Sequence, residues 1–195
     1  VDAEGFEFTL EPLEDTLTVT PTKTGFEARY ITRDEDADSP DTWGDDNLFL
    51  VHYHRSFDVR RDKIIVEDEA AAICRGESLA DSRHPDLLAT YWVFPVSAYI
   101  HSGVVLSLAS SFPMDGQGWD TSHVGLALVA KKEWPDEGKA REAASALVTE
   151  WNQYLSGEVY TIVKETYDDQ KMLLDYDCVG GHYGMRHALD ALKHL

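Results

Sequence analysis

From Leu87 to Met114 the chain runs for 28 residues without a single Asp, Glu, Lys or Arg. Such a run belongs in an interior, because nothing in it carries charge to water. It is long enough to span a bilayer. But Pro95 and the His101-Ser102-Gly103 break interrupt it, and Thr90, Ser97, Ser107, Ser110 and Ser111 dilute it. Two buried strands joined by a chain reversal fit it better than a membrane helix. Tyr91 to Ile100 is apolar at odd and even positions alike, the mark of a strand covered on both faces. Pro95 cannot donate to a ladder, so an edge or a bulge is expected there.

The remaining pattern extends this sheet. Phe6 to Leu13 alternates and reads as a strand. Leu17 to Thr20 and Phe26 to Thr32 read as a hairpin around Thr22-Lys23-Thr24-Gly25. Leu48 to His54, Val104 to Ala109 and Val124 to Ala130 are further strands, Ile64 to Val66 is a short strand or a lead-in, and Asp68 to Cys74 is a short helix ended by Gly76. Ser110 to Ser122 is longer than a hairpin loop needs, and long loops in compact domains often carry function. The clearest helix covers Lys139 to Ser156, where Ala140, Ala143, Ala144, Leu147, Trp151, Tyr154 and Leu155 form one stripe and Gly157 stands at the cap. Val159 to Glu165 and Met172 to Tyr176 form a late hairpin, and a last helix covers about 183–194. The expected class is α+β with a mainly antiparallel sheet, as one domain over 1–195 with an acidic loop at about 34–47.

Charge narrows the function. Acids number 36 against 17 basic residues, a formal charge of −19. Direct nucleic-acid binding by phosphate neutralisation is thereby disfavoured, as is an anionic membrane surface. Residues 1–48 hold 14 acids and 3 basic residues. Between Arg55 and Lys63 the sign reverses, with Arg55, Arg60 and Arg61. Three readings compete for the acidity: a solvated surface, a salt-adapted surface (Asp outnumbers Glu 21 to 15, with only 8 Lys) and a DNA mimic. If salt adaptation holds, the melting temperature should rise between dilute buffer and molar KCl, because screening relieves carboxylate repulsion. A flat or falling value removes that reading. Two cysteines, Cys74 and Cys178, are too few for a disulfide scaffold, and a reducing cytoplasm is the simpler expectation.

Candidate chemistry is sparse. Neither nucleotide-binding glycine motif occurs, and no cofactor is expected. His52 and His54 are two apart on a strand and share a face, so with a third ligand they could hold a metal; the plainer reading is two polar residues on a solvated edge. His101, in a turn with Ser102 and Gly103, could be a general base oriented by Asp120. Cys178 could be a nucleophile if an imidazole activates it, or simply a small hydrophobe ending a strand. Trp119, Tyr99 and Ser102 are candidate binding residues around the same reversal.

Several short blocks carry a resemblance. Ser39-Pro40-Asp41-Thr42-Trp43 followed by Tyr53-His54-Arg55 is similar to "SP-x-x-W … WHRRY", and Phe94 to Gly103 to "LPLYLYDHSG". Trp119 to Gly125 is similar to "WDSGQVG", Gln153 to Tyr160 to "QYLTGDVYG", and Cys178 to Gly184 to a loose "CWGFYG". In that order they resemble a widespread family of small, functionally unassigned proteins of tailed phages and prophages, over about Ser39 to Gly184. This chain has Ile100 where the family block has Asp before His-Ser-Gly, and Val179 where it has Trp. The resemblance implies a viral product acting in the host cytoplasm and brings no assigned activity.

The expected function is a non-catalytic accessory protein that binds a host or viral protein, with counter-defence as one role. The alternatives are a small hydrolase built on His101, Asp120, His54 and Cys178, and an acidic DNA mimic. A protein partner is expected, and oligomeric state is left open.

Overall fold

A computed structural model describes residues 4–42, 46–52, 67–74, 87–109, 112, 113, 115 and 119–195. In chain order the strands are β1 (Thr18–Pro21), β2 (Phe26–Arg33), β3 (Leu48–His52), β4 (Tyr91–Ile100), β5 (Val104–Ser107), β6 (Thr121–Ala130), β7 (Val159–Tyr167) and β8 (Leu173–Tyr183). The helices are α1 (Glu67–Cys74), α2 (Leu87–Thr90), α3 (Glu137–Leu155) and α4 (Met185–Leu192). All strand pairs are antiparallel, so the α+β class is as expected, but the strands form two four-stranded sheets. The chain divides into two compact units, Val1–Asp38 with Gly157–Leu195, and Ser39–Ser156.

The inner unit, Ser39–Ser156, has strand order β3-β6-β4-β5. The charge-free run supplies α2, β4 and β5. β6 is buried at every residue from Val124 to Ala130 because both its faces are covered. On one face Leu50, Phe94, Val96, Ala127 and Val129 pack against Ala140, Ala144, Leu147 and Trp151 of α3. On the other, Phe49, Val51, Leu126 and Leu128 pack against Ala70 of α1 and Leu87 of α2. Asp136 caps α3 by accepting from the Lys139 N–H at 2.9 Å, and Gly157 follows its last turn at φ +71°. Pro95 meets both conditions set for it. β5 pairs only with Ser97 to Ile100, so Pro95 is bonded on one side, and the β4–β6 register shifts between Val96 and Ser97.

The outer unit has order β1-β2-β7-β8. One face carries α4, with Ala188 against Ile31, Tyr160 and Ile162. The opposite face has a different cover. Phe6 to Leu13 forms no strand; Phe6 stands edge-on to Phe26 and Tyr167, with ring centroids 5.3 and 5.0 Å apart, and Phe8 edge-on to Tyr30 at 5.5 Å. Its aromatic rings bury better against the sheet than along its edge. Beneath them lies Glu165, fully buried. Its Oε1 accepts the Thr9 N–H at 2.8 Å and its Oε2 the Tyr167 hydroxyl at 2.6 Å. Burial, with Glu165 beside them, pushes the Tyr30 and Tyr167 phenols above their ordinary range, so both stay protonated donors.

Two late elements differ from expectation. β8 continues to Tyr183 instead of ending at Tyr176, since Gly180 and Gly181 are absorbed as an irregularity opposite Thr161. The last helix is shorter than 183–194 and starts at Met185, after Gly184 at φ +82°.

Candidate functional site

The His101 turn closes the β4–β5 hairpin of the inner unit. Its N–H donates to Gly103 O at 3.2 Å, and Ser102 is exposed beside it. β6 begins alongside, and Ile100 N–H donates to Asp120 O at 2.9 Å. This brings His101 Nδ1 to 3.5 Å from Asp120 Oδ2. Of the loop before β6, the described residues Phe112, Trp119 and Asp120 therefore lie beside the turn. Phe112 is buried there, 5.8 Å from the Tyr99 ring, and Tyr99 in turn is 6.2 Å from the His101 ring.

One carboxylate sets this geometry. Asp115 accepts from Trp119 N–H at 3.1 Å, Asp120 N–H at 3.0 Å and the Thr121 hydroxyl at 2.7 Å. The backbone that carries Trp119 is thus tied down, while its side chain is 87% exposed. A large indole held out in water by a fixed backbone is unusual, because burying it would be favourable. Asp115 was legible only as a turn residue: Asp before Gly marks a reversal, and nothing in its type shows that three donors converge on it.

The electrostatics of the pair are weak. The side chains of His101 and Asp120 are 69% and 43% exposed, so solvent screens their attraction to at most about 1 kcal/mol. Asp120 can orient the imidazole, and among the described residues both side chains remain open to solvent.

Cys178 belongs to β8 in the outer unit, exposed and free, within the strand and not at its end. Cys178, ahead of burial, pushes the neighbouring Tyr176 phenol up to about 12. His54 lies outside the described residues, as does the Arg55, Arg60 and Arg61 cluster, and of His52 only the backbone is described, opposite Gly125 in the β3–β6 ladder. Among the described residues no group of three or more His, Cys, Asp and Glu could hold a metal ion. No helix among them is long and apolar enough to cross a membrane.

The outer unit also has an open groove of about 480 Å³, walled by Leu10, Leu13, Thr32 and Thr161 and rimmed by Asp34 and Asp36. None of the candidate catalytic side chains lines it. Its Asp34 is already engaged, accepting Gly181 N–H at 2.9 Å. Comparison with protein-family models, curated proteins and solved structures yields no match to this chain.

Proposed function

We propose that the chain is a non-catalytic accessory protein of viral type that acts by binding another protein in the host cytoplasm, with counter-defence as one such role. The resemblance to the phage and prophage family supplies the setting. The observation that carries the binding reading is Trp119, 87% exposed on a backbone that Asp115 holds by two N–H groups and one neighbouring hydroxyl. Interface hot spots are enriched in Trp, and a pre-ordered one costs little entropy on docking. Tyr99 and Ser102 would frame the contact from the adjoining hairpin.

An affinity capture from host lysate at low and high salt tests this. The wild-type chain should hold the same partner at both, because an apolar contact outlasts screening. Trp119→Ala should weaken capture by about 30-fold or more, equivalent to about 2 kcal/mol, with the melting curve unchanged. A variant that captures the same partner as strongly would remove Trp119 from the interface and the reading with it.

A hydrolase centred on His101 is the second reading, and the 3.5 Å approach of Asp120 is what favours it. His101→Ala separates the two, since it would abolish hydrolysis and leave capture intact. The DNA-mimic reading draws on the acidic loop, but the Asp34 carboxylate is used within the fold.

A further inference from the structure

Among the described residues β8 is the outermost strand of its sheet and is bonded to β7 on one side only. Its residues from Leu173 to Gly181 are exposed in the whole chain, so its outer edge turns backbone donors and acceptors to water. Long edges are usually blunted by Lys, Pro or a covering element. β8 has neither Lys nor Pro. It carries Asp175 and Asp177, two apart and therefore on one face, with Tyr176 and Cys178 on the other. Among the described residues neither carboxylate has a salt-bridge partner.

The charges decide what could add to this edge. Between the irregularities at its two ends the regular stretch is Asp175 to Val179. A second copy, pairing antiparallel about the middle of that stretch, would set Asp177 directly against Asp177. Like charges so placed destabilise a strand pair, and each copy also carries −19. The edge that repels itself is complementary to a basic strand.

We propose that the free edge of β8 accepts an added strand from a basic protein segment. The segment would be extended, with Lys or Arg at alternate positions facing Asp175 and Asp177, and small apolar residues between them facing Tyr176 and Cys178. The ladder would supply affinity and the alternate side chains specificity. This proposal shares no residue with the Trp119 contact, and neither depends on the other.

The test uses the full chain and a synthetic seven-residue peptide of alternating Lys and Val, followed by backbone amide NMR. Saturable shifts confined to β8 and its flanks are expected. N-methylating the peptide amides that would face β8 should abolish them, because the ladder loses its donors while charge and side chains stay the same. A peptide with Glu in place of each Lys should not bind. Asp175→Asn with Asp177→Asn, both exposed, should weaken binding by about 2- to 30-fold. The proposal is overturned if no saturable shift is seen up to about 1 mM peptide, a weak-binding limit. It is equally overturned if the N-methylated peptide binds as well, if the shifts fall off β8, or if the chain self-associates through this edge.

Discussion

Glu165→Ala is expected to destabilise the outer unit by about 3–5 kcal/mol, from two buried donors left without their acceptor together with the cavity behind them. The carboxylate is 0% exposed and accepts from Thr9 N–H and the Tyr167 hydroxyl, with the Tyr30 phenol beside it. Ala would leave those donors in a dry site and open a cavity. An orphaned buried donor costs more than its hydrogen bond was worth. The midpoint of urea unfolding should fall with little change in slope. The Thr9 amide should also lose protection from exchange, because Glu165 is what ties that segment over the sheet. Glu165→Leu combined with Tyr30→Phe and Tyr167→Phe should recover part of the loss, since it fills the cavity and removes the phenol donors with their acceptor, leaving only the Thr9 and Leu10 N–H groups without theirs. A single-variant loss below about 1 kcal/mol, the size of an ordinary hydrogen bond, would show that water reaches the site.

Gly25→Ala should cost about 2–4 kcal/mol, combining backbone strain with a forced displacement. Gly25 has φ +152°, and an added Cβ would lie 2.0 Å from Tyr167 O and 2.7 Å from Asp168 C. Those are backbone atoms at the start of the β7–β8 turn, so no side chain can swing away. Gly103→Ala is the control: it has nothing within 4 Å of the added atom and should change stability by less than about 0.5 kcal/mol. Equal melting points for the two variants would mean that the β1–β2 turn does not press on β7.

How far the fold could be read depended on whether the determinant was local. The α3 stripe is local, and its span differs from the reading by two residues at the first turn, where Asp136 caps the helix from outside the apolar pattern, and by one at the end, where Ser156 is the cap. β4 was legible because apolar residues at consecutive positions leave no solvated face. Partner choice was not. Phe26 pairs with Tyr167, and alternation in β2 says that it is a strand without saying what lies beside it. The same limit hid Glu165: a glutamate in a strand reads as solvated until its acceptors and donors are placed. The alternation from Phe6 reads as a strand, yet Phe6 and Phe8 pack over a sheet instead of within one. Of the candidate site, the approach of Asp120 to His101 followed from two strands sharing a sheet. The grip of Asp115 on Trp119 did not, because it rests on loop conformation.

The outer unit is assembled from the two ends of the chain, with the inner unit set between them. A ribosome delivers residues in order, so Ser39–Ser156 is complete as a contiguous stretch before β7 exists. β1 and β2 must wait through that whole interval with their apolar faces unpaired, and their ladder partner emerges only afterwards. The inner unit can therefore fold while the chain is still being made. The outer one is a late closing step that joins distant segments and is slow for that reason. In the meantime the exposed β1–β2 hairpin is the stretch most open to a chaperone or to a wrong strand.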